Sequence, residues 1–205
     1  MLHQALQQLP LVAILRGVQP DDVEAVADSL YHEGFRVIEV PLNSPQALES
    51  IARLARRMPA DALIGAGTVL SADAVRDVQV AGGRLIVMPH ADVAVIRVAK
   101  ARGMACVPGA ATPTEAFAAL QAGADALKLF PAELVTPPVL KAMRAVLPRE
   151  LKLLPVGGIT PDTMAPYRKA GAAGFGLGSA LYAPGMTADE VGRRARAFAE
   201  AWQHG

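Results

Sequence analysis

The chain has 205 residues, with 20 basic and 19 acidic side chains, and its net charge of +1 argues against a polybasic nucleic-acid groove or membrane patch. Its 52% hydrophobic content supplies one sizeable core, and its length fits one domain spanning residues 1–205. Cys106 is the only cysteine, which excludes an intrachain disulfide, and no apolar run approaches the ~20 residues of a membrane helix. Residues 1–9 lack a basic segment followed by an apolar stretch, so the expectation is a cytoplasmic protein.

Eight short apolar runs recur along the chain, at residues 11–16, 36–42, 62–69, 85–89, 105–109, 126–131, 152–157 and 174–181. Such runs, bounded by turn residues, read as buried strands. Between them lie Ala-rich amphipathic stretches opened by cap-like signals: Pro20-Asp21-Asp22, Ser44-Pro45, Ser71-Ala72-Asp73, Thr112-Pro113 and Thr160-Pro161-Asp162. Gly34, Gly82, Gly103, Gly123 and Gly171 close them at the left-handed position that ends many helices. Residues 190–202 form a last amphipathic helix. Strand and helix alternating eight times predict an α/β fold, a single compact (β/α)₈ TIM barrel. The alternative, an open doubly wound sheet, is disfavoured because no Gly-x-Gly-x-x-Gly follows the first strand.

In such a barrel the C-terminal strand ends carry the site. The first strand ends at Arg16-Gly17, a donor fork suited to a carboxylate or phosphate; the bland reading is a surface salt bridge. The second carries Glu39 between Ile38 and Val40, and the third ends Gly65-Ala66-Gly67-Thr68. Thr68 is either a hydroxyl donor to substrate or a helix cap. The sixth carries Lys128 in Ala126-Leu127-Lys128-Leu129-Phe130-Pro131. Side chains alternate, so Lys128 shares a face with Ala126 and Phe130. A buried lysine is unfavourable unless paired or neutral, and a neutral amine is a nucleophile towards a ketone. Glu39 and Lys128 together read either as a buried ion pair or as an acid/base partner beside a nucleophilic amine, and the second reading is favoured. Gly157-Gly158 and Gly178-Ser179 end strands seven and eight, where backbone N–H groups can approach a phosphate; tight turns would also require those glycines. His3, His32, His90 and His204 show no metal-ligand spacing, so no metal or other cofactor is expected.

With these motifs in order, the chain resembles the pyruvate-releasing class I aldolases of 2-keto-3-deoxy-6-phosphosugar acids. The resemblance rests on Ala13-Ile14-Leu15-Arg16-Gly17, Ile38-Glu39-Val40-Pro41-Leu42-Asn43-Ser44-Pro45, Ile64-Gly65-Ala66-Gly67-Thr68-Val69, Leu127-Lys128-Leu129-Phe130-Pro131, Val156-Gly157-Gly158 and Gly176-Leu177-Gly178-Ser179. It implies Lys128 as the Schiff-base lysine, Glu39 as proton shuttle, Arg16 and Thr68 on substrate polar groups, and Gly157, Gly158, Gly178 and Ser179 around the 6-phosphate. It also implies a phosphorylated keto-acid sugar as substrate and a homotrimer.

Within the family the chain is more similar to the galactonate branch. Asn43 stands where gluconate-type enzymes carry arginine, and Val156 where they carry threonine, so these two positions are read as setting specificity. The segment Phe130-Pro131-Ala132-Glu133 is more similar to the gluconate branch, which leaves gluconate cleavage or dual specificity as the alternative. Remoter readings are a phosphate-binding barrel isomerase or decarboxylase, and a non-catalytic sugar-phosphate binder.

Overall fold

The computed structural model describes residues 1–204. Nine strands and nine α-helices follow one another: α1 (Leu2–Gln8), β1 (Leu11–Ile14), α2 (Val23–His32), β2 (Val37–Pro41), α3 (Ala47–Arg57), β3 (Leu63–Gly67), α4 (Ala72–Val80), β4 (Leu85–Val87), α5 (Val93–Ala101), β5 (Ala105–Val107), β6 (Gly109–Ala110), α6 (Pro113–Gln121), β7 (Ala126–Leu129), α7 (Pro137–Arg144), β8 (Lys152–Pro155), α8 (Met164–Ala170), β9 (Phe175–Leu177) and α9 (Ala188–His204). A 3₁₀ turn, Pro161–Thr163, precedes α8. Among the described residues no helix is long and apolar enough to cross a membrane.

Local chemistry explains most of the boundaries. Ser71 caps α4 by accepting from the Ala74 N–H at 3.1 Å. Thr112 and Glu115 form a reciprocal capping box on α6, with Pro113 at its first position. Gly34, Gly82, Gly103, Gly123 and Gly171 all have positive φ, as the sequence led one to expect. Ser44 departs from its expected role. It caps no helix; α3 begins after Gln46, whose φ is 43°, and the Ser44 hydroxyl points elsewhere.

Every strand pairing is parallel. The strands form two sheets, β5-β4-β3-β2-β1-β9 and β6-β7-β8. The expected single eight-stranded ladder is therefore met in part. Pro108, which has no N–H to donate, splits the fifth predicted strand into β5 and β6. On the other side, β8 ends at Pro155, and one bridge, Val156 to Gly176, together with Ala173 N–H to Leu153 O at 2.9 Å, links it to β9.

The alternation of side chains builds two cores. Ile38, Val40, Leu127 and Leu129 face outward into a large cluster with the helices. Val12, Val37, Leu63, Leu85, Val87, Ala105, Val107, Ala126 and Leu154 face inward and meet Leu2, Ala5 and Leu6 of α1. Helix α1 thus closes one end of the inner face. Glu39 and Lys128 lie on that same face, since each shares its strand side with an inward residue, Val37 and Ala126 respectively.

Candidate active site

Lys128 sits on β7, in register with Gly109 on one side and Leu154 on the other. It is 6% exposed, and its Nζ stands 4.6 Å from the centre of the Phe130 ring. Glu39 sits on β2, in register with Ile14 and Gly65, and is 1% exposed. Its Oε2 is sealed from solvent with no hydrogen-bond partner. Among the described residues neither side chain enters an ion pair within 4.0 Å, so the buried salt bridge that was the simpler reading is absent.

The electrostatics follow from that burial. Desolvation pushes the Glu39 carboxyl up to about 7, against the opposing pull of Lys128 and Arg16. Desolvation also lowers the Lys128 ammonium below its usual value; Glu39 counters this, while the Arg16 charge adds to it. Both groups are thereby biased towards their neutral forms. A carboxyl near 7 can give and take protons at neutral pH, and a neutral amine can attack a carbonyl carbon.

A glycine makes room for the acid. On β3, a side chain at Gly67 would overlap the Glu39 carboxylate. Sequence reading took Gly65-Ala66-Gly67 only as the end of the third strand and missed this role. The available signal was its position, two residues after the Gly65 that faces Glu39 across the β2–β3 pair.

Above Lys128 opens a cavity of about 580 Å³. It gathers Arg16, Lys128, Val156, Gly157, Gly158, Gly178 and Ser179, all singled out from the sequence, and adds Phe130 and Tyr182 to the wall. Glu39 lies deeper, lining the closed inner space with Lys128, Ile14 and Val156. Ile14, Lys128 and Val156 therefore border both spaces. Gly157 and Gly158 have φ values of 116° and 59°, conformations that glycine adopts without strain. Behind them stands Glu133, close enough that a Cβ on Gly157 would come within 2.5 Å of its Oε2. An acidic side chain beside the expected phosphate cradle was not anticipated. From outside, Arg194 of α9 donates to the carbonyls of Ser179 and Ala180 at 3.4 and 3.2 Å and braces the turn.

Two predicted residues stand off the cavity wall. Asn43 contacts Arg16, whose Nη1 donates to Asn43 Oδ1 at 2.5 Å. Arg16 enters no surface salt bridge within 4.0 Å among the described residues. Thr68 is half-buried with φ 55°, a left-handed conformation that is uncommon for threonine. It does not cap α4, since Ser71 does. His90 is exposed. Among the described residues no group of three or more His, Cys, Asp or Glu side chains is placed to hold a metal.

Chemically, this arrangement suits a parallel α/β enzyme acting on an anionic carbonyl compound. Comparison with known proteins narrows the class: residues 2–195 match the model for KDPG and KHG aldolases, and the chain belongs to that family. It is 48% identical over 193 residues to a probable 2-dehydro-3-deoxy-6-phosphogalactonate aldolase of Rhizobium meliloti (strain 1021), covering 94% of this chain and 91% of the relative. It is 34% identical over 167 residues to a 2-dehydro-3-deoxy-phosphogluconate aldolase of Zymomonas mobilis subsp. mobilis (strain ATCC 31821 / ZM4 / CP4), covering 81% and 79%. A solved structure described as native KDPGal superposes with a TM-score of 0.94 at 45% identity, covering 96% of this chain and 95% of that one.

Proposed function

We propose that this aldolase cleaves 2-dehydro-3-deoxy-6-phosphogalactonate to pyruvate and D-glyceraldehyde 3-phosphate through a Schiff base on Lys128. One observation carries the mechanism: a buried amine without an ion pair forms part of a cavity wall, and a carboxyl pushed up to about 7 lines the closed space beneath it. The greater likeness to the galactonate-named relative favours the galactonate epimer, as do Asn43 and Val156.

In the proposed sequence, Lys128 Nζ attacks the C2 ketone, and the carbinolamine loses water with Glu39 supplying the proton. The ionised Glu39 then accepts the C4 hydroxyl proton. The C3–C4 bond breaks, its electron pair moves into the iminium, and glyceraldehyde 3-phosphate departs. Proton return to C3 of the enamine and hydrolysis of the iminium release pyruvate and restore the amine. The iminium absorbs the developing carbanion, which is why the chemistry calls for no metal or cofactor.

Arg16 receives the substrate carboxylate, and Thr68 is assigned to the substrate's polar groups by the family resemblance. The turns at Gly157-Gly158 and Gly178-Ser179 receive the 6-phosphate through backbone N–H groups. The two sheets then serve as one (β/α)₈ barrel with its site at the C-terminal strand ends. Membership of this family also supports a cytoplasmic homotrimer working in galactonate catabolism.

Borohydride reduction in the presence of pyruvate should add one reduced pyruvate to Lys128, read by peptide mass spectrometry; an unmodified Lys128 would sink the mechanism. Substrate choice is read separately, as kcat/KM on the two C4 epimers with pyruvate release coupled to lactate dehydrogenase. A galactonate preference is expected. An equal or reversed preference would keep the lysine chemistry and hand the substrate to the gluconate or dual-specificity reading.

A further inference from the structure

We propose that Ser44 is a positioning residue for Arg16, holding the turn that presents the guanidinium at the cavity mouth. The inference rests on the aldolase reading and deepens it at the carboxylate end of the substrate. Arg16 and Gly17 are the two central residues of a turn closed by Val18 N–H to Leu15 O at 3.3 Å. Gly17 has φ 80°, and a Cβ there would come within 2.7 Å of Pro184 Cγ, so the turn is pressed against the opposite wall.

What fixes the turn from the other side is the segment just after β2. The Gly17 N–H donates to Ser44 Oγ at 2.9 Å and has no other partner among the described residues. The neighbouring Asn43 Oδ1 accepts from Arg16 Nη1. Ser44 is 7% exposed, and its own N–H is tied to Pro41 O at 2.9 Å, so its hydroxyl is held in place by the strand that carries Glu39. Two consecutive residues of β2's exit thus grip two consecutive residues of β1's exit. With one of its five N–H groups spent on Asn43 and no carboxylate partner, Arg16 keeps donors for an anionic ligand. Its charge also acts on both Glu39 and Lys128, so its placement matters to both.

The test is the pyruvate concentration that gives half-maximal borohydride trapping on Lys128, measured for the wild type, Ser44→Ala, Arg16→Ala and the double variant. Loss of the hydroxyl should raise that concentration about fivefold, as removal of one hydrogen bond would. In the Arg16→Ala background Ser44→Ala should add nothing, because the effect passes through the guanidinium. A merely structural serine would instead lower thermal stability and leave the trapping curve of the folded fraction unmoved. Asn43→Ala, an exposed position, serves as the second variant and should show the same non-additivity. An unchanged curve for Ser44→Ala, or effects that add to Arg16→Ala, would overturn the proposal. No adduct in the wild type would overturn the Schiff-base reading and this inference together.

Discussion

The two ends of the inner strand face are built from opposite materials. At one end Leu2, Ala5 and Leu6 of α1 pack on Leu63, Leu85, Ala105 and other apolar side chains, with no charge among them. Towards the other end lie Glu39, Lys128 and Arg16, two of them buried without an ion pair, and turns made of glycine. Leucines at the closed end contribute by excluding water, about 1.5–3 kcal/mol for each fully buried side chain. Glu39, buried beneath the open cavity, works against folding when it ionises. The contrast teaches where each strand's sequence serves stability and where it serves chemistry, within a few residues of one another.

The comparison can be broken most severely at Glu39. Glu39→Gln keeps the shape and removes the proposed proton acceptor, so kcat should fall on the order of 10²–10⁴-fold. The same variant sharpens the stability side. The folded-state pKa of about 7 lies above the reference value of 4.5, so the protonated carboxyl favours folding. That contribution is complete below about pH 4.5 and is lost as pH rises through 7, at most about 3 kcal/mol. Urea unfolding should show wild-type stability falling over that window relative to Glu39→Gln; parallel curves would contradict the burial argument.

Gly67→Ala should come next. Its methyl group must displace the Glu39 carboxylate, lowering kcat about 10- to 100-fold through misplacement. Overpacking adds a stability loss of about 1–3 kcal/mol, read by denaturant titration. A milder change is Val156→Thr, which places a hydroxyl where the two inner spaces meet and should shift the ratio of kcat/KM for the two epimers by up to about tenfold. The smallest effect on activity belongs to the closed end. Leu6→Ala should destabilise by about 2–4 kcal/mol yet leave kcat/KM of the folded enzyme unchanged. A loss of activity there would show that the two ends are coupled.

Much of this contrast was legible in the sequence because it rests on strong local signals. Apolar runs bounded by turn residues placed the eight strands, and alternation put Lys128 on one face with Ala126, the face that the structure turns inward. Three features were not legible. Helix α1 is short, and its apolar residues acquire meaning only when the strands curl around them. Pro108 splits a run that reads as one strand, because hydrophobicity does not report a missing N–H. Ser44 followed by proline has the pattern of a cap, and only the nearness of Gly17 across the mouth reveals its other partner. Contacts between residues distant in sequence decided each case.

The closure made by α1 has a consequence for the order of events. With one end filled by leucines, everything must enter and leave past Arg16 and the glycine turns. In the proposed mechanism the three-carbon fragment stays tethered to Lys128 while the phosphorylated aldehyde is free to go. Traffic would then be single file: in cleavage the aldehyde departs first, and in synthesis the keto acid must board before it. Product inhibition patterns would carry that signature.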